Sequence, residues 1–319
     1  MGIDLTLASR FMTSHARVLD RRRFEVLTTG TGQDAVIRGL DAYRNPDGGY
    51  GWGLEPDLRA AESQPAGALH ALEALVTAAP ATSPHTVPLL DWLQSVTLPD
   101  GGLPFASPIT DPTGCAPFWV DSAQAVQAGH PESSLQITAA VAAQAHLLAR
   151  TDATVRDHPW LATATRYCLD AVTTITGSAS PPFAYVLSFS LRFLDAACDS
   201  GAADGRVTAD LLRDMARFVP VDGAVPVEGG AEGETLRLLD FAPVPGRPVR
   251  ELLDVRAVVA DLDRLEQAQC ADGGWPVDFT SYSASASLEW RGHATVHAVE
   301  VLRANGRTER SQVPDSERG

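Results

Sequence analysis

The chain has 319 residues, 45% of them hydrophobic, which is enough apolar material for one large core or two ordinary ones. Its formal net charge is −15 and all 25 basic residues are Arg. An acidic chain with no basic run excludes nucleic acid and anionic membranes as main partners, and the lack of Lys excludes Schiff-base chemistry and a Walker-type phosphate site.

In chain order, apolar spacing of three and four predicts helices over roughly 7–27, 33–44, 64–78, 86–96, 133–149, 157–175, 183–199, 206–217, 249–269 and 288–304. Gly30-Thr31-Gly32 precedes the second of these, but it lacks a third Gly and a preceding strand, so it is no nucleotide loop. The segment 81–88 is a Pro/Ser/Thr linker, and 99–132 and 219–248 read as long loops rich in Gly and Pro. These elements describe one all-α domain over 1–305, followed by a polar tail, 306–319, expected to be disordered. No apolar run reaches the ~20 residues of a membrane span. Four scattered cysteines without a Cys-x-x-Cys pair read as reduced thiols of a cytoplasmic protein.

The chain repeats itself. Asp-Gly-Gly occurs at Asp47, Asp100 and Asp272, with a weaker echo at Asp222-Gly223, and each copy follows a predicted helix. Glycine there permits the left-handed turn that closes a helix, and Asp can bond the backbone just after itself. The likeness continues beyond the turn. Glu62, His70, Glu73 and Leu75 recur at identical offsets as Glu289, His297, Glu300 and Leu302. One unit is therefore helix, turn, loop and second helix. Stacked pairs of this kind close naturally into an (α/α) toroid of helical hairpins.

Gln269-Cys270-Ala271-Asp272-Gly273-Gly274-Trp275 resembles the repeat motif of the terpenoid cyclase and protein prenyltransferase family, which includes the squalene–hopene cyclases. The stretches Arg44 to Tyr50 and Gln94 to Leu103 are degraded copies. The resemblance implies that Gln269 ties to the backbone of the next helix, that Trp275 stacks on it, and that the motif is architectural. It also implies a ring of six hairpins. The chain offers about ten helices, so the expected ring is incomplete or irregular.

What the resemblance implies for function is a small cyclase-like enzyme. It would act on an apolar, isoprenoid-like substrate by proton-initiated cyclisation or isomerisation in a biosynthetic pathway. The family's Asp-x-Asp-Asp proton donor aligns with Ala61 to Gln64, or with Leu288 to Arg291, and no Asp stands at either place. Glu62 and Glu289 are the acids that remain, and they are the catalytic candidates. A carboxyl group in an aromatic pocket has its pKa raised and can donate a proton. Both also stand in a first helical turn, where acids favour the helix dipole.

Tyr50, Trp52, Phe118, Trp119, Trp275, Phe279, Tyr282 and Trp290 are the candidate substrate walls, since aromatic faces stabilise a cation. Arg59 and Arg291 flank the two acids; they could bind phosphate or neutralise the carboxyls. His70 with Glu73 and His297 with Glu300 are helical neighbours three apart, readable as acid–base pairs, as metal ligands or as packing pairs. No cofactor or metal is assigned. The family's Asp-x-Cys zinc pattern is missing, and Cys270 with His293 supplies only two ligands. The expected partner is a hydrophobic small molecule, with oligomeric state left open. Two alternatives remain: a polysaccharide lyase or hydrolase on an α/α barrel, and a non-catalytic lipid-binding toroid.

Overall fold

The computed structural model describes residues 2–198 and 204–307. Among them the chain forms fifteen α-helices and one two-stranded ribbon. The first seven helices are α1 (Leu5–His15), α2 (Val18–Thr29), α3 (Gln33–Leu40), α4 (Pro65–Ala78), α5 (Thr86–Val96), α6 (Pro117–Gln127) and α7 (Leu135–Leu148). Then come α8 (Ala153–Arg156), α9 (Pro159–Thr176), α10 (Ala184–Ala197) and α11 (Gly205–Ala216). The ribbon pairs β1 (Val225–Pro226) with β2 (Thr235–Leu236), antiparallel. The chain continues through α12 (Leu238–Phe241), α13 (Pro248–Glu251), α14 (Val255–Gln267) and α15 (Ala284–Ala304). The polar tail lies outside the described residues from 308 onward. No described helix is long and apolar enough to cross a membrane.

Several expected elements differ; the loop expected over 219–248, for one, holds the ribbon and α12. The helix expected over 7–27 is two helices, because Ala16 and Arg17 are extended. The break aims the Arg17 guanidinium at Asp20, 2.8 Å away, and at the Leu54 carbonyl, 2.8 Å away. No Gly or Pro marks it, so tertiary bonding overrides local propensity. The helix expected over 249–269 divides at Asp254, whose carboxylate caps α14 by accepting from the Ala257 N–H. The supposed loop 99–132 contains α6, which starts on Pro117, a residue suited to a first helical position.

Helices α4, α7 and α10 are buried on most of their faces and form the centre of the core. Ala makes up about half of the buried residues of α4 and α7, which lets backbones approach closely. The neighbour contacts run from α15 to α2, α4, α7, α10, α12 and α14, and from α14 back to α15.

The three Asp-Gly-Gly turns are built alike. In each, the second glycine's N–H donates to the Asp carboxylate, at 2.9, 3.1 and 3.1 Å for Asp47, Asp100 and Asp272. The same carboxylate oxygen accepts from a residue leading into or lying on a later helix: Ser63 before α4 at 2.7 Å, Ser133 before α7 at 2.6 Å and Arg291 on α15 at 2.8 Å. The turn thus fastens one helix to a later one.

The last copy also reaches the first helix. Gln269 accepts from the Asp4 N–H at 2.9 Å and donates to the Asp4 carbonyl at 2.9 Å. The indole of Trp275 is buried and donates to the Leu265 carbonyl at 2.7 Å. Gln269 and Trp275 thus fasten this turn to α1 and to α14. The degraded copies lack this reach: Gln94 is exposed, and the Nε of Arg44 is buried without a partner. We expect Gln269→Ala to lose about 1–3 kcal/mol in urea unfolding, because two backbone groups of Asp4 lose their partner. An unchanged midpoint would show that water replaces the side chain at no loss.

Candidate functional site

Two loops and two helices converge beside the core. The loop 51–60 follows the first turn and leads to α4; the loop 276–283 follows the third and leads to α15. Pro65 begins α4, and Ser283 caps α15 by accepting from the Ala286 N–H at 3.0 Å. The first turn of α4 rests on the Tyr50 carbonyl, which would lie 2.2 Å from any Cβ at Gly67, so no larger residue fits at that position.

The centre is His70. Its Nε2 lies 2.7 Å from Glu55 and its Nδ1 2.9 Å from Glu73. Burial works to lower the pKa of His70, but Glu73 and Glu55 outweigh it and raise the value to about 9. Burial likewise works to raise Glu73, and His70 holds it well below the usual carboxylate range. His293 of α15 lies beside them, its ring 5.2 Å from that of His70 and its Nε2 4.0 Å from Glu73. Burial lowers the pKa of His293 to about 3. Its Nδ1 is 3.5 Å from the Arg23 guanidinium. The ligand atoms of His70, Glu73 and His293 all lie within 4.8 Å of one another.

A second carboxyl lies at the loop side. Asp57 is 4% exposed and accepts from the Trp290 indole N–H at 2.7 Å and the Tyr282 N–H at 2.9 Å. Among the described residues it has no ion-pair partner. Burial raises its pKa against these two hydrogen bonds. Trp290 stands edge-on to Phe279, His70 and His293, at 5.1, 5.8 and 5.6 Å. From Tyr282 and Phe118 an aromatic run leads inward to Trp119, which is buried, and to Phe105. Tyr282 and Phe118 are each 45% exposed and form its open end.

The structure therefore brings together His70, Phe279, Tyr282 and Trp290, with Trp119 at the far end of the aromatic run. Others are placed elsewhere. Glu62 is the main correction. Its carboxylate accepts from the Thr110 N–H at 3.1 Å, and bonds from Thr110 outweigh burial, so its pKa falls where the proton-donor role requires a rise. Glu289 forms an ion pair with Arg59 at 3.0 Å, without hydrogen-bond geometry. Arg59 thereby neutralises Glu289.

Arg291 is bonded to Asp272 and lies 4.5 Å over the Phe11 ring. Tyr50 and Trp275 are buried in the core, and Trp52 is 58% exposed with its indole bonded to Asn45. The repeat symmetry is broken at the histidines. Among the described residues, His297 and Glu300 form no hydrogen bond or ion pair, unlike His70 and Glu73. Burial lowers His297 to about 4, helped by Arg192, and raises Glu300.

Sequence reasoning missed Glu55 and Asp57, and it placed His293 only beside Cys270. Glu55-Pro56-Asp57 is a pair of acids in a glycine-rich loop, a weak signal that no repeat copy reinforces. His293 stands one helical turn before His297, a spacing that could have placed both on one face of α15.

No family model and no curated protein matches the chain. Among solved structures it is similar to a protein from Actinoplanes, with 16% identity, a TM-score of 0.52, and coverage of 94% of this chain and 88% of that one. At that identity the likeness is one of fold alone.

Proposed function

We propose that the chain is an α/α-toroid enzyme that transfers a proton from Asp57 to an apolar, isoprenoid-like substrate, starting an isomerisation or cyclisation. The observation that carries the proposal is a buried carboxyl group without an ion-pair partner, held by the Trp290 indole N–H and by the backbone N–H of Tyr282, where the aromatic run opens. The toroid is part of the proposal, and the succession of helix contacts that returns from α14 to α15 supports it.

In this reading the substrate enters past Phe118 and Tyr282. The Asp57 O–H bond breaks as a C–H bond forms at an alkene carbon. The cation that develops is stabilised by the faces of Trp290 and Phe279. Loss of a proton from a neighbouring carbon completes the product, and the carboxylate regains a proton from water. Asp57 takes the proton-donor place expected of Glu62 or Glu289.

Incubation in deuterated water with a panel of acyclic isoprenoids is the test. Wild type is expected to give a rearranged product carrying one deuterium, and Asp57→Asn to turn over about 100-fold more slowly. Full activity in Asp57→Asn, or no product from any isoprenoid, would sink the proposal. The alternative reading is a polysaccharide lyase or hydrolase. Acidic oligosaccharide retained on the purified chain would favour it.

A further inference from the structure

We propose that His70, Glu73 and His293 form a binding site for a divalent first-row transition metal ion, of the zinc or ferrous class. The donor set is two imidazoles and one carboxylate, from two neighbouring helices. His70 and Glu73 lie three residues apart on α4 and so share a face, and His293 approaches from α15. The three ligand atoms, His70 Nδ1, Glu73 Oε2 and His293 Nε2, lie within 4.8 Å of one another. Metal bonds of about 2.0–2.1 Å set tetrahedral ligand edges of about 3.4 Å. An ion would move His70 and Glu73 slightly apart from 2.9 Å and draw His293 in from 4.0 Å.

The support around the ligands points the same way. Glu55 accepts from His70 Nε2 at 2.7 Å. A metal would displace the proton that Nδ1 shares with Glu73, and Glu55 would then hold the remaining Nε2–H tautomer, as an outer carboxylate does for a metal-bound histidine. Glu55 and Glu73 together supply two negative charges to match a divalent cation. Arg23 is the opposing charge, 3.5 Å from His293 Nδ1. It is bonded to Thr77 and lies on the ring edge away from Glu73, and Asp20 offsets it from α2.

Two imidazoles with one carboxylate suit zinc or ferrous ion rather than magnesium or calcium, which prefer oxygen throughout. Three protein ligands leave a coordination position open. The thiol of Cys270, the other candidate ligand from the sequence, lies near the Ala268 carbonyl at 3.8 Å and takes no part.

The test is calorimetric titration of the full chain with zinc after chelator treatment, alongside elemental analysis of the protein as purified. One zinc per chain is expected. His293→Ala should weaken binding at least tenfold with an unchanged circular dichroism spectrum, since His293 makes one long hydrogen bond, to Arg23, and beyond its 4.0 Å approach to Glu73 only ring-edge contacts with His70 and Trp290. Glu55→Gln should weaken it about 10–100-fold. His297→Ala and Cys270→Ser should bind as wild type does. Substoichiometric binding, binding unchanged in His293→Ala, or equal loss in Cys270→Ser or His297→Ala would each overturn the site. None of these readouts depends on the Asp57 chemistry.

Discussion

Gly273→Ala is expected to lose about 3–5 kcal/mol of stability, read as a fall in the midpoint of urea unfolding. Gly273 has φ +95°, a region that L side chains enter only under strain. A Cβ there would also stand 2.1 Å from the Leu7 carbonyl oxygen and 2.3 Å from its carbon. Both atoms are backbone, so α1 itself would have to move. That motion would pull Asp4 from Gln269, which holds it by two hydrogen bonds, and would part the last turn from the first helix. The equivalent turn supplies the control. Gly101 has φ +96°, but its Cβ would meet Thr163 atoms only at 3.2 Å. Gly101→Ala should therefore carry the strain alone, about 1–2 kcal/mol. Equal losses at the two positions would show that the close approach to α1 is not what fixes Gly273.

That contrast marks what the sequence makes legible. The repeated Asp-Gly-Gly turns could be read because their cause is local: the glycine conformation and the carboxylate bond lie within a few residues. The helical content could be read because apolar spacing records a buried face, and α4 and α7 were placed to within two residues at each end. The break at Ala16 could not, since it answers to the Leu54 carbonyl 37 residues away.

The site was half legible for the same reason. Repeat alignment found His70 and Glu73, but alignment treats all copies as equal. It therefore promoted His297 and Glu300, which lack the loop carboxylate that sets His70 apart. Glu55 and Asp57 arrive from a loop whose path depends on the Tyr50 backbone and on Gly67, and no periodicity records that path. Nor does any periodicity record the hydrogen bond to Glu62 from Thr110, a residue 48 positions away.

His70→Ala should lose about 3–5 kcal/mol of stability, the range for breaking a buried ion pair by removing one partner. The ring touches carboxylates on both sides, at 2.7 and 2.9 Å, where side-chain exposure is only 8% for Glu55 and 15% for Glu73. Truncation leaves two partly buried acids facing each other with no cation between them. Unfolding should be followed in the presence of chelator, so that no bound metal contributes. His297→Ala is the matched control. It occupies the same repeat offset on α15 without a hydrogen bond, and its loss should stay within about 1 kcal/mol. The unpaired charges, and not the missing ring, are the proposed origin of the difference. Adding Glu55→Gln and Glu73→Gln to His70→Ala should then recover more than half of the loss, which is a non-additive effect expected of residues in one network. If the triple variant is less stable than His70→Ala, the carboxylates contribute through contacts other than the imidazole, and His70 is no longer the centre of the cluster.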